Sequence, residues 1–94
     1  MSAPEKSKEV AALSDDLAAA VAAGRAAIEA AADLDALAEV HTAHLGPKSP
    51  VALTRRGLGA LEPAARAETG RKVNEALTAL TAAYDARRAA LERA

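Results

Sequence analysis

The sequence predicts an all-α protein: an antiparallel helical hairpin, or coiled-coil arm, with a short helix and a basic turn at its tip. Three observations predict it. Alanine, the strongest helix former, supplies 29 of the 94 residues. Larger apolar residues recur at spacings of three and four over long stretches, which marks one face of a helix. The helical text breaks decisively only once, in HLGPKSPVALTRRGLGAL from His44 to Leu61, where two prolines, three glycines and three basic residues collect.

A first helix is expected over about 4–32, starting near Pro4 or Ser7. Val10, Leu13, Leu17, Val21 and Ile28 fall on one face. Gly24 lies on the same stripe, where a missing side chain lets a neighbouring helix come close. Asp33 follows three alanines and precedes LDAL. It suits the N-cap of a second helix, about 33–45, with its carboxylate accepting from a free backbone N–H. Asp35 then sits in the first turn, where the helix dipole favours negative charge. The alternative is an unbroken helix running through this point. Leu34, Leu37, Val40, His41, His44 and Leu45 extend the apolar stripe.

Gly46 and Pro47 end that helix, glycine as the usual residue just past a helix end and proline because it cannot continue one. They open a tip over about 46–62. Pro50 suits the first turn of a short helix, roughly 50–60, which Gly57 and Gly59 weaken by about 1 kcal/mol each. Pro63 opens the final helix, about 63–94, in the same way. Val73, Leu77, Leu80, Tyr84 and Leu91 repeat as a coiled-coil seam. Arg87 occupies the position where a leucine is expected, so the seam should loosen there. The helix carries no stop signal before Ala94, and the natural chain is expected to continue. At 1.5 Å per residue the final helix is roughly 45 Å long. The first two together are long enough to return alongside it, placing the tip at the far end.

Composition narrows the function classes. The large apolar residues number eleven Leu, five Val, one Ile, one Met and one Tyr, enough for a thin seam between helices rather than a deep core. Cysteine is absent, which excludes a disulfide framework and a thiolate metal site and permits a cytosolic home. No run of about eighteen apolar residues predicts a membrane span, and MSAPEKSKEV has no apolar signal core. A single aromatic, Tyr84, argues against a module that stacks unpaired bases on several rings. Net charge is only −1, but its distribution is uneven. Residues 1–46 carry three basic and eight acidic side chains, 47–72 six basic and two acidic, and 73–94 three of each. Positive charge gathers where the chain turns, which points to a polyanionic partner.

Other constellations read as ordinary structure. His41 and His44 lie three apart on one helix face, a spacing that suits two metal ligands, but no third ligand stands at helical spacing, so a packed or half-exposed pair is expected and no metal site. Asp15 and Asp16 point in different directions as helix neighbours and belong to a solvated face. Ser14, Ser49 and Thr54 lack a base with an orienting acid, and no catalytic residue is expected. Tyr84 belongs to the seam. Gly57 and Gly59 lack the spacing of a phosphate-binding loop.

The ordered set HLGPKSP, VALTRRGLGALEPAARAETGRKVNEAL and YDARRAALE resembles the amino-terminal domain of the bacterial phenylalanyl-tRNA synthetase alpha subunit. That family's pattern is a DL-x-x-L segment, a Y/H-L-G-K-K-G-like turn, an L-x-x-L-P-x-E-E-R-like stretch and G-x-x-x-N in a long helix. Here the matching residues are Asp33, Leu34 and Leu37; Leu45, Gly46 and Lys48; Leu58, Leu61, Pro63 and Arg66; Gly70 and Asn74. The resemblance covers about 33–92. Pro47 replaces the turn's first basic residue and Ser49 its last glycine, and the alanine- and arginine-rich wording is similar to the actinobacterial branch.

The resemblance implies a non-catalytic helical arm that holds phenylalanine tRNA. The charge around the turn agrees: Lys48, Arg55, Arg56, Arg66, Arg71 and Lys72 are expected to meet its phosphates in a salt-dependent way. It implies recognition of RNA by shape and backbone. No cofactor is implied for this stretch. ATP and magnesium would serve a class II catalytic domain elsewhere in the parent chain, a cytoplasmic enzyme pairing two alpha with two beta subunits. The alternative is a structural helical hairpin that mediates protein–protein association, including self-association through its thin apolar seam.

Overall fold

The computed structural model describes the backbone of residues 3–94 and the side chains from residue 12 onward; the expected place of Val10 in the apolar stripe lies outside the described side chains. Four α-helices follow in order: α1 (Ala3–Ala30), α2 (Leu34–Leu45), α3 (Pro50–Gly57) and α4 (Pro63–Arg93), with a 3₁₀ turn at Leu58–Ala60 before α4. No strand occurs among the described residues. The fold is all-α, and the body is a rod with principal extents of 57 × 18 × 15 Å.

Local chemistry sets the breaks. After α1 the chain reverses at 31–33. The Asp33 carboxylate then accepts from the Ala36 N–H at 2.7 Å, with its backbone extended at φ −149°, ψ 174°, and so starts α2. The helix does not run through. α2 ends at Gly46, but not in the left-handed conformation usual for glycine after a helix: its φ is −80° and ψ 175°. Glycine is needed there because a Cβ would collide with the Thr42 carbonyl oxygen. Proline occupies the first position of both α3 and α4.

The hairpin is formed by α2 and α4, which run antiparallel with α3 at the turn. α1 doubles back along it, parallel to α4. The pairing of residues shows the direction. A Cβ on Gly24 would lie 2.9 Å from Leu80, and Arg87 bonds to Ala31, 56 residues away. Both pairs keep the same offset along the chain, as parallel helices must. The expectation that the first two helices form a single returning limb is therefore refined: the second returns, and the first folds back onto the α2–α4 pair.

Between α1, α2 and α4, and closed by α3 at the tip, lies a thin core. Ile28, Leu37, Val51, Val73 and Leu80 are almost fully buried, each contributing about 1.5–3 kcal/mol of transfer free energy. Leu17, Ala20, Ala31 and Ala76 complete it, with Val21, Val40, Leu77, Tyr84 and Leu91 packed at its margin. Leu34, placed on the apolar stripe by its spacing, stands at the first position of α2 beside the chain reversal and is 45% exposed.

Beyond Leu80 no residue of α4 is buried, so the apolar seam thins there as expected, but Arg87 adds a polar bridge. Its Nε and Nη2 both donate to the Ala31 carbonyl, at 3.2 and 2.8 Å. That carbonyl follows the last turn of α1, where helical acceptors lack amide partners and a cation is favoured by the dipole. Gly24 does permit the close approach its position suggested: Leu80 fills the space where its side chain would be.

Candidate nucleic-acid interface

The tip is held by short-range bonds. Ser49 N–H donates to the Gly46 carbonyl at 3.1 Å, closing a four-residue turn with Pro47 and Lys48 at its centre. Proline at the first central position presets the backbone for such a turn. Ser49 is 1% exposed and its Oγ accepts from the Ala52 N–H at 3.2 Å, capping α3. The Thr54 hydroxyl donates to the Pro50 carbonyl at 2.9 Å. These hydroxyls are engaged in holding the short helix. Val51 and Thr54 form the buried face of α3.

This framework displays Lys48, Arg55 and Arg56 to solvent. Arg55 and Arg56 occupy the last turn of α3, where positive charge complements the carbonyl end of the helix. Arg56 reaches back across the tip, and its Nη2 donates to the Pro47 carbonyl at 3.2 Å. Lys48 and Arg55 make no hydrogen bond or ion pair among the described residues. Their charges are open to a partner.

The three candidate contact residues on α4, Arg66, Arg71 and Lys72, do not all point the same way. Thr69, Val73, Ala76 and Leu80 mark the inner face of that helix. Successive residues turn by about 100°, so Arg71 projects nearly opposite to this face, and Arg66 and Lys72 fall on opposite flanks. Arg66 is tied to the tip, its Nη2 donating to the Leu61 carbonyl at 3.1 Å. That bond offsets the unfavourable placement of a cation in the first turn of a helix. Lys72 is half-buried in a groove between α1 and α4 beside Ser14, Leu17, Val21 and Glu75. The geometry thus gathers three of the six expected residues at the turn, keeps Arg66 nearby as a bonded neighbour, and separates Arg71 and Lys72.

Away from the tip, the His41 and Tyr84 rings pack 4.8 Å apart, tilted by 57°. Tyr84 joins the margin of the core, and the His44 Nδ1 is buried without a partner. No group of three or more His, Cys, Asp or Glu side chains is placed to hold a metal among the described residues, and no described helix is long and apolar enough to cross a membrane. Residue spacing alone missed the bonded roles of Arg56, Arg66 and Arg87. Nearness of an arginine to a proline turn or a helix end was the available signal, but each acceptor is a backbone carbonyl, which the sequence does not distinguish.

Comparison with known proteins adds independent findings. The sequence profile of the family described as aminoacyl tRNA synthetase class II, N-terminal domain, matches residues 32–94. The chain is 50% identical over 80 residues to the phenylalanine–tRNA ligase alpha subunit of Mycolicibacterium vanbaalenii, covering 84% of this chain and 23% of that protein. It is 51% identical over 75 residues to the alpha subunit of Nocardia farcinica, covering 80% and 22%. Against the alpha subunit of Streptomyces avermitilis it is 51% identical over 67 residues, covering 71% and 19%. The chain therefore spans about a fifth to a quarter of the length of these curated relatives.

Proposed function

Because the chain belongs to the N-terminal domain family of class II aminoacyl-tRNA synthetases, we propose that it is the helical arm with which a phenylalanine–tRNA ligase alpha subunit holds phenylalanine tRNA. The observation that carries this reading is identity of about one half to alpha subunits across most of the chain, joined to a basic tip at one end of a rod 57 Å long. Lys48, Arg55 and Arg56 contact the phosphates of a folded RNA, with Arg66, Arg71 and Lys72 contributing from the neck of the arm. Such contacts release counterions, so binding weakens steeply with salt. A rigid rod carries this charge away from the catalytic body to meet RNA by its shape and backbone.

On this reading the arm performs no chemistry. ATP and magnesium act in the remainder of the alpha subunit, the beta subunit completes an enzyme of two alpha and two beta chains, and the assembly works in the cytoplasm. The test is tRNA binding by the intact synthetase over a range of salt, with and without residues 1–94. Deletion is expected to weaken binding and flatten the salt dependence while phenylalanyl-adenylate formation survives. Unchanged affinity and slope would make the segment a structural or protein-association hairpin instead.

A further inference from the structure

Arg56 and Lys48 belong to the same surface but are bonded differently. The Gly46–Ser49 turn has one peptide at its centre, the one joining Pro47 to Lys48. In such turns that peptide is the mobile part. Rotating it by about half a turn interconverts type I and type II geometry and sends the second central residue to positive φ. Lys48 does not lie there: no described non-glycine residue has positive φ. The carbonyl of this peptide is the atom that Arg56 Nη2 holds at 3.2 Å, from nine residues further along the chain.

We infer that Arg56 is a positioning residue, which pins the central peptide of the turn and so aims the Lys48 ammonium at an RNA phosphate. The inference rests on the reading of the tip as a tRNA-holding surface and deepens it. The guanidinium suits the task because its planar fork fixes direction, whereas a lysine in its place is a point charge on a flexible stem. Two guarantees hold Lys48 in one orientation: the steric bias of an L-residue against positive φ, and the bond from Arg56. Lys48 itself has no partner within the described residues. It keeps all its donors for the ligand, while Arg56 has spent one nitrogen on the backbone.

The experiment is a double-mutant cycle on the intact synthetase, reading tRNA affinity and its salt slope for Lys48→Gln, Arg56→Lys, and the two combined. Lys48→Gln is expected to lower the slope by about 1, as loss of one phosphate contact does. Arg56→Lys keeps the charge but is expected to weaken binding roughly threefold to tenfold, the range of one lost hydrogen bond. In the Lys48→Gln background it should have almost no further effect, because the group it positions is gone. Wild-type affinity for Arg56→Lys overturns the proposal, and so do additive effects of the two changes, which would show that Arg56 does not act on binding through Lys48. A Lys48→Gln variant that binds as wild type overturns it as well. Deletion of residues 1–94 separates this failure from failure of the wider reading: binding lost on deletion but indifferent to Arg56→Lys leaves the arm a tRNA holder with a differently built tip.

Discussion

The Arg87 guanidinium closes on the Ala31 carbonyl from two of its nitrogens, joining the end of α1 to α4 across 56 residues of chain. Ala31 is 4% exposed, so its carbonyl has little access to water and depends on this contact. Arg87→Met, which keeps the aliphatic stem, should destabilise the chain by about 1.5–3 kcal/mol, the worth of a hydrogen bond to a charged group. Arg87→Lys should lose less, since it keeps the charge near the helix end. Urea denaturation checks this; an Arg87→Met midpoint equal to wild type would show that the contact contributes nothing.

The same substitution at two glycines should have opposite signs. Gly24→Ala gains about 1 kcal/mol of helix propensity. Its new Cβ lies 2.9 Å from a Leu80 side chain with no exposure and hence no free direction to turn, and overpacking typically costs about 1–3 kcal/mol. Net destabilisation of about 1 kcal/mol is expected. Gly59 has nothing within 4 Å of its would-be Cβ and no positive φ, so Gly59→Ala should stabilise by about 0.4–1 kcal/mol through the unfolded chain. Thermal melts of the two variants should shift in opposite directions.

Burial separates Leu80 from Leu53. Leu80 is 0% exposed and Leu53 54%. Leu80→Ala should cost about 2–5 kcal/mol, enough to threaten a helical bundle with so thin a core. Leu53→Ala should stay within about 0.5 kcal/mol of wild type. Circular dichroism during denaturation distinguishes them, and comparable losses would mean that Leu53 is covered in solution.

Two side-chain caps can be tested by what replaces them. Asp33→Ala and Ser49→Ala should each lose about 1 kcal/mol, whereas Ser49→Gly should lose only a few tenths. The glycine result bears on the resemblance, in which glycine is usual at this position of the turn. Equal losses for Ser49→Ala and Ser49→Gly would indicate that burial of the serine matters more than its bond to Ala52.

Much of this architecture is legible in the residues because its causes are local. Asp33 caps within three residues, and Pro50 and Pro63 start helices by their own ring geometry. Gly24 also reads correctly, since its place on the stripe leaves a gap that only a close neighbour can fill. The bond of Arg87 to Ala31 is not legible, because a heptad frame reports which face a residue is on, not what stands opposite. The need for Gly46 is visible but its reason is not: the constraint is a backbone oxygen one turn earlier, not a positive φ. At the tip, counting charge finds Lys48, Arg55 and Arg56 but cannot divide residues that face solvent from those whose donors are already turned toward backbone carbonyls.

The constant offset between α1 and α4 has a mechanical consequence. Gly24 faces Leu80 and Ala31 faces Arg87, and the same offset aligns Leu17 with Val73, both buried in the core. These layers recur every seven residues but are not interchangeable. Slipping α1 by one heptad toward the end of α4 would press Leu17 onto Leu80 and leave Gly24 opposite Arg87, crowding one layer and emptying the next. Slipping it the other way would strip the Ala31 carbonyl of its fork. Sliding by one heptad, a step of about 10 Å, is closed to this arm. The arm therefore acts as a ruler with a single graduation, and the span from its basic turn to the far end of the bundle is set by side-chain volume.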